Sequence, residues 1–343
     1  MTAQPITAPV AAPAAARRGR REWGIAGAIT VTALLASVLT LGAGARGVGW
    51  LDGVAAIAGR LDPDTATLVE RFLVPRVLLC WLVGIALAVS GGVLQGVIRN
   101  PLAAPDIIGI TKGAGVAAMA ALLLWPSAPV AALPVAAFAG GVAAALLVYL
   151  FAYRRGTSPA RLALVGIAVS ALCEGGVRFL LVRNPLDVNA ALSWLTGSMF
   201  GRTMTHVVQF APWVVVLVPL LLYYARRLDT LGLGDDLATG LGEPVERTRR
   251  ITLLLAVALA AAAVSVAGTV GFVGLIAPHM ARRLVGGRHL ALLPTAAALG
   301  ALLLLLADAV GRGVAPPLEI PVGLITALVG GPYFLYLLTK TGK

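Results

Sequence analysis

The sequence predicts an all-α integral membrane protein of about ten transmembrane helices, and three observations carry that expectation. Charged residues make up only 12% of the 343 positions, whereas a soluble globular chain carries about 25%. Hydrophobic residues make up 59%, and the mean hydropathy is +0.92. Ten apolar stretches, most of them about 17 to 25 residues long, recur along the chain, and roughly 20 helical residues cross a hydrocarbon core. A soluble fold of this size needs far more charge to cover its surface, so most of this surface meets lipid. The 40 glycines and 21 prolines follow no period, which excludes collagen. Cys80 and Cys173, the two cysteines, sit inside apolar runs and read as small buried residues, not as a disulfide scaffold.

The stretches fall at residues 24–43, 74–98, 107–124, 130–150, 162–182, 207–224, 251–267, 270–285, 290–310 and 320–339. Backbone groups cannot stay unpaired in lipid, so these are helices, and the two-residue alternation of a barrel is absent. The eighth stretch is short and holds Pro278, which leaves its bounds least defined. Residues 1–23, rich in Pro and Ala and ending in "RRGRREWG", read as a disordered basic tail, with the first stretch as an uncleaved signal anchor. Residues 24–343 then form a single ten-helix domain.

Loop charge sets the orientation. With the N-terminus in the cytoplasm, 18 Lys and Arg fall inside and 8 outside, so both termini are expected to be cytoplasmic. Lys112 lies within the third span, near its inner end, where it can snorkel or line an exit. Segment 46–71 is an outer loop bearing Asp52, Asp62, Asp64 and Glu70, and 184–202 holds a short surface helix. Segment 225–250 is the long inner loop. The net charge of +12 does not point to nucleic acid, because the arginines lie between apolar runs and form no single stripe.

The usual catalytic constellations are missing. His206, His279 and His289 are far apart and without cysteine partners, so no metal centre is expected, and His206 and His289 read as surface residues. A phosphate-binding loop needs G-x-x-x-x-G-K-[ST], and Lys112, Lys340 and Lys343 all lack that context. The chain is read as a non-enzyme with no cofactor of its own. Residues 88–103 and 265–281 echo one another, each pairing small residues with a Gly-rich helix end and a Pro; on spans of opposite direction this is an inverted repeat.

The run "VPRVLLCWLVGIALAVSGGVLQGVIRNPLAAPDIIGITKGAG" from residue 74 resembles the permease subunits of bacterial ABC importers for iron–siderophores, haem and cobalamin. It holds Pro75-Arg76, the Ser90 to Gln95 segment, and Asn100 to Gly109. "GTVGFVGLIAPHMARRLVG" is similar to that family's short eighth helix, and "LLLLADAVGR" with "PLEIPVGLITALVGGPYFLYLL" to its last two spans. The resemblance implies a cobalamin-importer-type permease fold (a type II ABC importer) in the cytoplasmic membrane, with a dimer partner that is a second copy or a paralogue. It also implies two ATP-binding subunits carrying ATP and Mg, an extracytoplasmic substrate-binding protein, and a ferric siderophore as cargo.

Residue by residue, the resemblance assigns ATPase coupling to Leu231, Gly234, Ala238, Leu241 and Gly242 in "LGLGDDLATGLG". Arg76 and Arg312 take the positions that dock the binding protein, with interfacial snorkelling as the other reading. Thr157 and Ser158 take those of a cytoplasmic gate, with helix capping as the other reading of Ser158. Gln95 and Asn100 are pathway candidates. Glu174 and Arg178 stand at i and i+4 on the fifth span, either lining the pathway and handling a charged chelate or forming a structural ion pair. The alternative function is an ion-coupled secondary transporter using Glu174 or Asp308 as proton carrier; it leaves residues 231–242 without a purpose.

Overall fold

The computed structural model describes residues 12–41, 55, 59–106, 108–129, 131–152, 159–314 and 318–341. Among these the regular structure is entirely helical: α1 (Ala12–Leu41), α2 (Pro63–Leu68), α3 (Val74–Ile98), α4 (Ile110–Leu124), α5 (Ala132–Ala152), α6 (Pro159–Arg183), α7 (Val188–Leu195), α8 (Met204–Tyr223), α9 (Ala225–Leu231), α10 (Asp235–Gly240), α11 (Val245–Ala267), α12 (Val273–Val285), α13 (His289–Gly313) and α14 (Val322–Thr341). Each of the ten apolar stretches overlaps a helix. Seven helical segments are long and apolar enough to cross a membrane, while α4 and α14 are apolar but shorter.

Three expectations need correction. First, α1 starts at Ala12, inside the segment expected to be disordered, because Ala and Arg in "APAAARRGRREW" are strong helix formers. Second, residues 63–71 of the expected outer loop are helical. Asp62 accepts the N–H of Thr65 at 2.9 Å, Pro63 opens α2, and a π turn at Val69–Leu73 carries the helix into α3. Pro75, which has no N–H to donate, sits just beyond that turn. Third, α4 begins at Ile110 beside the middle of α6: Gly109 faces Ser170 and the Gly166 carbonyl. Lys112, near the start of α4, pairs there with Glu174 of α6 at 2.6 Å.

Two interruptions shape the bundle. Arg99 ends α3 in a left-handed conformation, and helix resumes only after Gly109. Gly268 ends α11, and helix resumes after Phe272, also left-handed. The two breaks touch, since the Phe272 N–H donates to Asp106 Oδ2 at 3.4 Å. Asp106 thus caps the start of α12 from across the fold, a favourable place for a carboxylate.

The centre is built from α3, α11 and α13, whose spanning windows are mostly buried; α1 and α6 bury only 22% of theirs. Without a hydrophobic drive between helices in lipid, small residues let backbones approach. Gly84 of α3 lies against Gly300 of α13, and Gly91 of α3 against Gly274 of α12; a Cβ at either α3 position would overlap the partner's carbonyl. Gly84→Ala or Gly91→Ala is expected to cost about 1–3 kcal/mol or more through overpacking. Gly331→Ala, where the added atom meets nothing, is the control. The yield of monodisperse protein in mild detergent should fall for the first two and not for the third.

Candidate functional site

The central helices end in two polar clusters, one at each end. At the end where α3 starts and α13 finishes, Asp308 is only 3% exposed and is held by two arginines. Arg76 Nε donates to its two oxygens at 2.9 and 3.0 Å, and Arg312 Nε donates to Oδ2 at 3.1 Å. Arg76 also pairs with Glu319 at 2.7 Å, and Arg312 Nη2 donates to the Thr40 carbonyl at 2.8 Å. The cluster therefore fastens α1, α3, α13 and the segment before α14 together. Both guanidiniums are buried, so they do not snorkel, and they are not free to meet an incoming carboxylate as the sequence suggested. Asp308 is a structural counter-ion, not an open proton carrier. A cavity of about 300 Å³ beside it is lined by Phe72, Phe200, Arg202 and Glu319. Burial of Arg202 there makes its charged form less favourable.

At the opposite end, Asp235 at the start of α10 links the end of α3 to α11. Arg249 Nη2 donates to its oxygens at 2.9 and 3.0 Å, Arg99 pairs with it as well, and Arg99 Nε donates to the Leu231 carbonyl at 2.9 Å. Burial works against the charge on Asp235, but the hydrogen bonds from Arg249 and Arg99 outweigh it and hold the carboxyl below its ordinary range. Arg249 is fully buried and also meets Glu246 at 2.8 Å. Asp229 on α9 accepts from the backbone N–H of His289 at 2.9 Å and lies 2.7 Å from its Nδ1. His289 is thus buried and not the surface residue its basic loop suggested.

This ionic frame presents a compact turn. Gly234 (φ 108) and Gly242 (φ 83) bracket α10 in backbone conformations that favour glycine. Leu231 and Ala238 face inward and are buried, so they anchor the turn and cannot touch a partner. The exposed edge is Leu233, Leu237 and Leu241. Sequence reasoning named only the last of these, although their four-residue spacing was visible.

The remaining candidates separate. Gln95 is buried and donates to the Leu275 carbonyl at 3.3 Å, tying α3 to α12. Asn100 Oδ1 accepts the Leu102 N–H at 2.9 Å and shapes the turn after α3. Both line a cavity of about 530 Å³ with Arg99, Asp229, Arg282 and His289, at the Asp235 end. Thr157 and Ser158 lie outside the described residues. Glu174 and Arg178 do meet, at 3.4 Å, and Lys112 joins them at 2.6 Å from Glu174, a contact no motif foretold. Among the described residues no group of His, Cys, Asp and Glu is placed to hold a metal.

Comparison with known proteins decides the family. A family model described as the FecCD transport family matches residues 31–340. The chain belongs to the FecCD transport family. It is 47% identical over 310 residues to the Fe(3+)-citrate import system permease protein YfmE of Bacillus subtilis (strain 168), covering 90% of this chain and 93% of that protein. It is 48% identical over 270 residues to the Fe(3+) dicitrate transport system permease protein FecD of Escherichia coli (strain K12), covering 79% and 84%. An inward-facing metal-chelate-type ABC transporter superposes with a TM-score of 0.82 at 31% identity, over 92% of this chain and 99% of that one. This FecCD protein is accordingly a multi-pass transport subunit of the cell membrane and not an enzyme.

Both clusters make measurable demands on the FecCD chain. Asp308→Ala removes the carboxylate shared by two buried guanidiniums and should destabilise the protein by about 3–5 kcal/mol, read as a lowered Tm in detergent. Asp235 has a folded pKa held below the ordinary carboxylate range, so its clamp is complete at neutral pH and is lost as the pH falls through that lowered pKa. Amide exchange over residues 234–242 should be faster in Asp235→Asn than in the native chain at pH 7. Acidifying the native chain below that pKa should bring the two together.

Proposed function

We propose that the chain is the permease subunit of a binding-protein-dependent type II ABC importer that carries a ferric siderophore or related iron chelate into the cell. The single observation that carries the reading is the rigid α10 turn. Three leucines are raised to solvent on a turn that arginines at the end of α3 and on α11 hold in place. An exposed apolar edge on an ion-clamped support is what a mechanical contact with a motor subunit requires, and the family supplies the motor. Leu233, Leu237, Leu241 and Gly242 meet the ATPase, while Leu231, Gly234 and Ala238 shape the turn.

In this reading all ten apolar stretches cross the membrane and both termini are cytoplasmic, which puts the α10 turn inside and the Asp308 cluster outside. The permease works as a dimer with a second copy or a paralogue. Two ATP-binding subunits hold ATP and Mg below it, and a substrate-binding protein docks from outside. Arg76 and Arg312 serve docking indirectly, by fixing the helix ends on which Glu319 is presented; exposed ion pairs there steer and register more than they bind. Thr157 and Ser158 form the inner gate. The cargo follows from the relatives, whose names specify ferric citrate import.

Vesicles containing this chain, its ATPase and its binding protein should take up an iron chelate with ATP, and not with a non-hydrolysable analogue or a proton gradient alone. Gly242→Trp should abolish that uptake while leaving membrane insertion intact, since a side chain at Gly242 meets nothing within the chain. Gly242→Ala carries the same left-handed backbone strain without the bulk and should retain most of the uptake. Normal uptake by the tryptophan variant would remove the coupling assignment.

A further inference from the structure

Lys112, at the start of α4, and Glu174 and Arg178, in the C-terminal half of α6, form an ion-paired cluster. Lys112 Nζ lies 2.6 Å from Glu174 Oε2, and Arg178 Nε lies 3.4 Å from Glu174 Oε1. Glu174 is fifteen residues into α6, about 22 Å along its axis from Pro159. All three side chains are partly open, and that of Arg178 is 76% exposed. Around them α6 exposes Leu164, Ile167, Leu172, Phe179 and Val182, on a helix that buries little of itself in its own chain.

A guanidinium at this level is costly in lipid, and charges inside membranes face a water-filled space or a partner. Snorkelling would carry Arg178 outward, towards the Arg183 end of α6. Its Nε instead reaches back to Glu174, one turn deeper. A hydrated passage beside the cluster accounts for that geometry. Two cations share one carboxylate, which leaves a surplus of one positive charge. Glu174 holds Lys112 in place and tempers the field, so that an anion can be met and still released, as conduction requires.

We propose that Lys112, Glu174 and Arg178 form a cargo-selectivity site that takes an anionic, carboxylate-bearing metal chelate, with Arg178 as the contacting group and Lys112–Glu174 as its support. Arginine suits that role because its planar fork matches a carboxylate. The proposal rests on the importer reading, in which the α6 face borders the passage between two permease copies and the surplus doubles across the pair.

The test uses the complete importer in vesicles, with radio-iron citrate as the anionic chelate and a neutral ferric trihydroxamate as the comparison. Wild type should take up ferric citrate with ATP. Arg178→Gln should lower that uptake about tenfold or more, the loss of one charge-assisted contact, while ATP hydrolysis stimulated by the loaded binding protein stays unchanged. Arg178→Lys should restore a substantial part, and Lys112→Gln with Glu174→Gln, which removes the support but keeps the surplus charge, should lower citrate uptake by a smaller factor than Arg178→Gln. ATP-driven uptake of the neutral trihydroxamate alone, or undiminished citrate uptake by Arg178→Gln, would overturn the selectivity site and leave the importer reading standing. If Arg178→Gln proves misfolded, Arg178→Lys and the double variant decide: undiminished citrate uptake in the folded double variant overturns the site. No ATP-driven uptake of either chelate would instead bring down the importer reading.

Discussion

The structure depends on how closely α3 and α13 approach. Gly84 and Gly300 bring the two backbones into contact, and nothing larger fits there. That contact also sets the register of an antiparallel pair. Arg76 lies eight residues before Gly84 and Asp308 eight residues after Gly300, so each is about 12 Å from the crossing in the same direction. The buried ion pair forms because the glycines meet where they do. A slip of one helix by a single residue would leave charged groups in the bundle without their partners, an error of several kcal/mol. The glycines provide closeness, and the charges restrict that closeness to one arrangement.

Movement has to be found elsewhere, at the two interruptions. The segment after α3 and the segment after α11 both carry left-handed residues that are not glycine, Arg99 and Phe272, and both feed a shorter helix. They meet through Asp106 and the Phe272 N–H. Arg99 belongs at once to this interruption and to the Asp235 clamp. A displacement of α10 by a motor subunit therefore has a short covalent and ionic route to the place where the helices are already broken.

The sequence made the helices legible because a membrane asks one simple thing of a chain, about 20 apolar residues at a time. The second stretch coincides with α3 at both ends, and the others differ by a few residues, most at α1, where propensity extended a helix into an Ala- and Arg-rich segment. The depth at which α4 starts was not legible, since Gly109 is placed by packing on Ser170, sixty residues away. Long-range charge partners were hidden for the same reason. Arg76, Asp308 and Arg312 were each noticed, but as a docking pair and a proton carrier, because spacing does not reveal that residues 232 apart share one cluster. The α10 turn was recognisable through its resemblance, while the side chains facing outward from it depended on the clamp that orients it.

The leucine edge of α10 has a consequence for how such a protein can be made. Leu233, Leu237 and Leu241 stand in water on a turn too rigid to fold them away. In the proposed reading, a copy without its motor subunit leaves this apolar edge uncovered, and two such copies offer each other the same spot. An excess of the permease over the ATPase should then favour self-association.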